Sequence, residues 1–477
     1  MLYSLIMLPL AGALIAWLIP GDRLRPLLLP LFGVLHTALT VDALLLTPPP
    51  SPNDWIHLDA LGKVVLLGIS VLFLVCAVYA VGYLGYRRER SNRVLCAGLL
   101  ICLSAMSLVC AAHHLGLLWV AIETTTVSMA PLIYFNRNAR SIEATWKYML
   151  ICSVGIALAL MGLFFLAYST IVAGQEPTLL LEPLISSARK LSPDWLKAAF
   201  IFLLVGFGTK MGLAPLHTWK PDAYGEAPGL VGALLAGGLV NCAFIGIARI
   251  YQICTASGNA GFFLDTLLIM GLISMGFAAV FMVNQSDFKR MLAYSSVEHV
   301  GILAVALGLG KGALFGALFH VINNGLTKGV LFLSSGNIHR SYNSKNTSQV
   351  KGVLRRLPWS GGLFLAGFFA ITGSPPFSPF LSEFSIVSSA FIQGRNVSGG
   401  LFLLFLAVIF IGMASTVLPL VSGEEPAETV RTPYRDRLLT VGPPLATMLL
   451  VLMLGLWLPE PLRRLLMDAA ALLELRP

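Results

Sequence analysis

Ala199–Pro228 reads AFIFLLVGFGTKMGLAPLHTWKPDAYGEAP, and this stretch decides the fold. It begins as an apolar membrane helix and then carries Lys210 within the apolar phase. Five residues later Pro215 removes a backbone donor and clashes with the preceding turn, which predicts a helix break. His217, Lys220, Asp222 and Glu226 follow before a new apolar run opens near Gly229. A lysine beside a helix break in lipid costs roughly 2.5–3.5 kcal/mol on insertion scales. Such a residue faces a hydrated interior or a paired charge and marks an ion path, or it is a structural lysine tied to a freed carbonyl.

The 477-residue chain is 57% hydrophobic and only 12% charged, with a mean hydropathy of +0.82. Soluble domains carry about twice that charged fraction, so the chain is polytopic in a membrane. The apolar run Leu2–Ile19 lacks a basic head and a small-residue cleavage site, which predicts a retained first helix. The seven cysteines form no C-x-x-C pair and suggest neither an iron–sulfur cluster nor a zinc site. The net charge of +9 sits in short loops between spans, as the positive-inside rule produces, and does not point to nucleic acid.

Counting apolar runs of roughly twenty residues gives about fourteen transmembrane helices in an all-α polytopic membrane protein. The basic loops YRRERSNR, NRNAR, NQSDFKR and HRSYNSKNTSQVKGVLRR fall on one side, the cytoplasm if the charge rule holds. Both termini then face the non-cytoplasmic side of the inner (cytoplasmic) membrane. The terminal PLRRLLMDAAALLELRP is expected to form an interfacial amphipathic helix. The mixed segment Val172–Lys197 has room for a small extramembrane hairpin or helix. A second break, Pro375, Pro376 and Pro379 ahead of Glu383, interrupts the twelfth span as Pro215 interrupts the seventh. Interrupted spans at corresponding places in two halves point to inverted repeats, here of about five helices each. The expected divisions are residues 1–93 (spans one to three), 94–253 and 262–421 (the repeats), and 422–477 (last span and tail).

Titratable residues recur inside these spans. Glu123 stands mid-span before three threonines, with Lys210 as its expected cation. His320, Asn324 and Lys328 recur every four residues and share one helical face. A histidine and a lysine in that stripe favour a hydrated proton relay over interhelical glue alone. His299 and its neighbour Glu298 open the tenth span near the interface, and Glu383 closes the set. The expected path is Glu123, Lys210, His299, His320, Lys328 and Glu383, with Glu143, Lys147, His217, Asn241 and Asn324 in support. Glu143 and Lys147, four apart, equally suit an ordinary helical ion pair. No serine–histidine–aspartate, metal-ligand or phosphate-loop pattern has usable context, and SEF at Ser382–Phe384 carries no usable signal. No cofactor or metal is expected in this chain.

FGTKMGLAPLHTWKPDAYGEAP resembles the signature of the antiporter-like membrane subunits of respiratory complex I, multi-subunit Na⁺/H⁺ antiporters and membrane-bound hydrogenases. LAYSSVEHVGI, LFHVINNGLTKGVLFLSSGNI, TGSPPFSPFLSEF and LLWVAIETTT resemble further motifs of that family. LIYFNRNARSIEATWKYMLICSVGIALAL and WKPDAYGEAPGLVGALLAGGLVNCAF are similar to its hydrogenase 4 component F branch, found in formate-hydrogenlyase-type group 4 [NiFe]-hydrogenases. The resemblance implies fourteen helices, two inverted five-helix repeats, broken seventh and twelfth spans, and proton translocation without a cofactor of its own. It implies family roles for Glu123, Lys210, Lys328 and Glu383, whereas Asn241 stands where many complex I members carry a lysine. Partners would be other membrane subunits and a peripheral redox arm, which would hold the NiFe centre and iron–sulfur clusters. The chain is not expected to be catalytic alone. A secondary cation/proton antiporter, a membrane module for inorganic-carbon uptake and a non-conducting scaffold are the alternatives.

Overall fold

The computed structural model describes residues 1–87, 90–425 and 432–474. Arg88 and Glu89 of the basic loop, residues 426–431 before the last span and the final three residues of the tail lie outside the described residues. Among the described residues the secondary structure is helical, with three isolated bridges tying loops together.

The elements are α1 (Leu2–Leu18), α2 (Arg25–Leu45), α3 (Ala60–Tyr86), α4 (Arg93–Ala111), α5 (Leu115–Ile133) and α6 (Ala139–Val172). They continue as α7 (Leu181–Ser186), α8 (Pro193–Met211), α9 (Lys220–Glu226), α10 (Gly229–Leu234), α11 (Val240–Ala256), α12 (Gly261–Met282) and α13 (Phe288–Leu309). The last are α14 (Leu314–Tyr342), α15 (Val353–Arg356), α16 (Pro358–Ile371), α17 (Ser378–Ile392), α18 (Asn396–Ser422), α19 (Leu438–Leu456) and α20 (Glu460–Leu473). Among the described residues, ten helices are long and apolar enough to cross a membrane, and α1, α16 and α17 are shorter apolar helices. α8 and α14 are the helices that carry Lys210 and the polar stripe.

Sequence dictates where the long helices start. Asp59 caps α3 by accepting from Gly62 N at 2.9 Å. Asn138 and Ser141 form a reciprocal capping box on α6, at 2.7 and 3.0 Å, and Asp287 caps α13. Such caps satisfy amide groups that the helix itself leaves unpaired. Close backbone approach sets the packing: a Cβ on Gly206 of α8 would lie 2.5 Å from the Ala159 Cβ of α6. Small residues at helix seams permit this contact in a membrane. α10–α11 and α13 are almost wholly buried, as is most of α14. α6, α12 and α18 carry exposed apolar faces.

The expected helix interruptions are present. α8 ends at Gly212, which caps it with φ +83°, three residues ahead of Pro215. α16 and α17 are separated by 372–377, with Gly373 at φ +66° and with Pro375 and Pro376 inside the break. The Ala214–Pro215 and Pro375–Pro376 bonds are cis. The segment after α6 holds α7 and a 3₁₀ turn at Ala188–Lys190. α20 buries Leu466, Ala469, Ala470 and Leu473 and exposes Glu460, Arg463 and Arg464, an amphipathic pattern.

At the end of the molecule away from the basic loops, Arg249 of α11 grips Asp59 bidentately, at 2.6 and 2.9 Å. Burial works to raise the Asp59 carboxyl, but the Arg249 guanidinium, joined by His113, outweighs it and holds that carboxyl well below the usual carboxylate range. Among the described residues, Arg249→Gln would leave the Asp59 carboxylate only the Gly62 amide and His113, 3.5 Å away, and breaking a buried pair costs roughly 3–5 kcal/mol. Heating the detergent-solubilised protein and following loss of monodisperse material checks this. Arg249→Gln is expected to lose it at a clearly lower temperature than Arg463→Gln, an exposed pair on α20 worth little.

Candidate functional site

Lys210 lies in the last turn of α8, where the helix's unpaired carbonyls favour a cation. It is 2% exposed. Its ammonium donates to Thr126 Oγ1 at 2.5 Å and to Tyr148 Oη at 2.9 Å. Thr126 in turn donates to Glu123 Oε2 at 2.9 Å. The expected Glu123–Lys210 ion pair is therefore not a direct contact: a hydroxyl stands between the two charges. Glu123 is half-buried, and its other oxygen accepts from Ser153 at 3.4 Å. Helical spacing explains the bridge, since residues three apart on α5 share a face.

Two further lysines reach carbonyls of α13. Lys220, the first residue of α9, donates to Ser296 O at 3.5 Å. Lys328 of α14 donates to Leu292 O at 3.3 Å, one turn away. Both side chains are fully buried. Each is tied to a carbonyl, the structural alternative for a lysine beside a break.

Glu298 and His299 do not lie at an interface. α13 begins at Phe288 because Asp287 caps it, so both residues fall mid-helix and are buried. His299 Nδ1 and His320 Nε2 are 3.0 Å apart, and His320 Nδ1 is 3.0 Å from Ser382 Oγ. Ser382 donates its hydroxyl proton to Pro379 O at 2.8 Å, so it accepts from His320 Nδ1. His320 Nε2 is then the acceptor, and His299 Nδ1 donates to it. This leaves the lone pair of His299 Nε2 facing Glu298 Oε2 at 3.9 Å. Glu383 Oε1 lies 4.0 Å from His299 Nδ1. Ligand atoms of His299, His320 and Glu383 fall within 4.8 Å of one another, so among the described residues these three are the ones able to hold a metal ion.

Two glycines make room for charged side chains at the breaks. A Cβ on Gly373 would sit 2.2 Å from Glu383 Oε2, and one on Gly212 would sit 2.2 Å from Lys220 Cε. Both have positive φ, which L side chains rarely adopt.

The supporting residues are placed unevenly. Glu143 and Lys147 pair at 2.6 Å, and Lys147 also reaches Asp222 at 2.8 Å, with Arg290 on the far carboxylate oxygen. This is a half-exposed clasp between α6, α9 and α13, apart from the buried row. His217 packs edge-on against Phe277 and Tyr294, its Nδ1 without a partner among the described residues. Asn241 donates to Gly237 O in the π turn Leu235–Leu239 and to Val321 O of α14. Asn324 is buried beside the row. Thr126, Tyr148 and Ser382 join the row without having stood out in the sequence. Thr126 is three residues from Glu123, a spacing that could have flagged it, and Ser382 belongs to the SEF triplet.

Residues 112–414 match the family model described as NADH:quinone oxidoreductase/Mrp antiporter, TM. The chain is 34% identical over 400 residues to a hydrogenase-4 component F homolog of Methylacidiphilum infernorum, covering 82% of this chain and 83% of that one. It is 30% identical to NADH-quinone oxidoreductase subunit N of Desulforudis audaxviator, covering 78% of this chain and 72% of the other. In fold it superposes on a chain of the membrane-bound sulfane sulfur reductase, an archaeal respiratory membrane complex, with a TM-score of 0.88 at 22% identity, covering 99% and 97%. A chain of the Mrp complex from Dietzia gives 0.88 at 18% identity, with the same coverage.

Gly373→Ala provides a check on the Glu383 cradle. Gly394 has the same sign of φ, but nothing lies within 4 Å of where its Cβ would stand, so Gly394→Ala carries the backbone cost alone. That cost is of order 1 kcal/mol. Thermal unfolding is expected to show Gly373→Ala losing clearly more than Gly394→Ala, because only the former displaces the Glu383 carboxylate.

Proposed function

We propose that this chain, which belongs to the NADH:quinone oxidoreductase/Mrp antiporter membrane family and is a proton-translocating antiporter-like subunit, moves protons along its buried row for a redox-driven complex. The observation that carries the proposal is the row itself. Glu123, Thr126 and Lys210 are hydrogen-bonded in series. Lys220 and Lys328 each donate to a carbonyl of α13, and His299, His320 and Ser382 are hydrogen-bonded in series, with Glu383 4.0 Å from His299. Proton sites of both signs strung across several helices suit a lateral relay, and buried ionisable residues in membrane spans mark such relays.

Chemistry separates the members. A hydroxyl both accepts and donates, so Thr126 and Tyr148 can solvate Lys210 as ammonium and then donate to it as amine. The carbonyls that hold Lys220 and Lys328 can only accept. Lys210 is therefore the member equipped to change protonation state, and Glu123 is its exchange partner through Thr126.

In our reading the molecule has fourteen spans. The ten apolar helices are joined by α1, α14, the broken pair α8–α9 and the broken pair α16–α17, with α10 and α11 as one span. The repeats are 94–253 and 262–421, flanked by 1–93 and 422–477. In support, Gly212 precedes Pro215 and Gly373 precedes Pro376 by the same interval, and each glycine lies against a buried charged side chain. The basic loops face the cytoplasm and the termini the other side of the inner membrane. The partner complex is of the group 4 [NiFe]-hydrogenase or formate-hydrogenlyase type, its NiFe centre and iron–sulfur clusters in other subunits; likeness to the hydrogenase-4 component F homolog supports this.

Purification from native membranes in mild detergent, with mass spectrometry of what accompanies the protein, tests the partner. Hydrogenase and iron–sulfur subunits are expected; small antiporter subunits alone, or a lone soluble zinc protein, would contradict it. Proton translocation by inverted native vesicles tests the row. Thr126→Val is expected to lower the rate at least about tenfold, equivalent to about 1.4 kcal/mol, while Thr126→Ser stays near wild type. Equal rates in all three would contradict it.

A further inference from the structure

A cavity of about 460 Å³ lies at the basic-loop end of the molecule, between α3, α13, α14 and the segment leading into α19. Arg87, Lys289, His339 and Arg340 line it, and among the described residues no aspartate or glutamate does. Lys289 is 2% exposed. Its ammonium donates to Ala227 O at 2.6 Å and, among the described residues, has no carboxylate within 4.0 Å. Arg340 lies over the rings of Tyr83, Tyr86 and Tyr434, at 5.5, 4.8 and 5.8 Å, and donates to Tyr83 O at 3.5 Å. Arg87 donates to Asn136 Oδ1 at 3.2 Å.

The positive-inside rule fills loops with solvated basic residues. It does not bury a lysine or seat an arginine among three tyrosines. Several cations around one space without a carboxylate repel one another, and an anion relieves that repulsion while accepting their free N–H groups. The volume falls in the range of small-molecule sites. From these observations we infer that the cavity binds a phosphate-bearing anion, with Lys289, Arg87 and Arg340 as its cationic contacts and Tyr86 and Tyr434 as walls. The space shares Arg87, Asn136, His339 and Asn343 with an adjoining polar cavity of about 920 Å³, whose lining holds Glu226 and Asp287 but also Arg90, Arg140, Arg290 and Lys345, a net-basic route for a water-soluble ligand. Basic pockets between membrane helices also take lipid phosphate. Bound there, the anion would join the ends of α3, α13 and α14, the last of which carries His320 and Lys328.

The full chain in phosphatidylcholine nanodiscs, titrated calorimetrically with inorganic pyrophosphate, tests the site. Saturable binding is expected, about tenfold weaker in Lys289→Gln and in the half-exposed Arg87→Gln, as for the loss of one charge-assisted contact. A lipid source is distinguished by nanodiscs containing phosphatidylglycerol. If lipid phosphate fills the cavity, pyrophosphate affinity falls in those discs and native mass spectrometry finds a retained phosphatidylglycerol that Lys289→Gln loses. If the ligand is water-soluble, affinity is the same in both discs. No saturable pyrophosphate binding in phosphatidylcholine discs, or binding unchanged in both variants, would overturn the site.

Discussion

An ammonium group taken out of water must find oxygens, and in this chain five buried lysines find neutral ones, Lys63 through the Thr47 hydroxyl. Lys210 rests on two hydroxyls, and Lys220, Lys289 and Lys328 rest on backbone carbonyls. A carboxylate pair would lock each charge in place and leave a stranded anion when the proton departed. Neutral oxygens hold the lysine without that penalty. Helix arrangement follows from the requirement. α5 and α6 supply the hydroxyls, α13 presents two carbonyls one turn apart, and the break after α8 frees the chain to bring Lys220 to one of them.

The same demand explains why glycine stands in both breaks. At Gly212 and Gly373 the backbone turns left-handed and a charged side chain lies where a Cβ would be. Lys220 and Glu383 thus pack directly against backbone. The second half of the row depends on such packing too, since the order of donors from His299 through His320 to Ser382 follows from where Ser382 spends its own proton.

Apolar runs, basic loops and proline clusters made the helical class and both interrupted spans legible, because each of those signals is local. The stripe His320, Asn324 and Lys328 was legible for the same reason: helical periodicity places it on one face. What periodicity omits is the partner on another helix. Tyr148 carries no signal of its own in the sequence, and only the fold shows that α8 brings Lys210 to it. The depth of His299 depended on where Asp287 caps α13, a start at Phe288 that leaves His299 mid-helix. Asp59 and Arg249 meet, and Lys289 and Arg340 line one cavity, across stretches that no spacing rule connects.

Lys210, on this view, alternates between protonated and neutral forms rather than serving as a fixed charge. Arginine keeps its charge at any accessible pH. Proton translocation by inverted native vesicles carrying Lys210→Arg, beside Lys210→Ala, is the direct measurement. Lys210→Arg is expected to be as inactive as Lys210→Ala although its charge is retained. Near-normal translocation by Lys210→Arg would contradict this and leave Lys210 a static counter-charge.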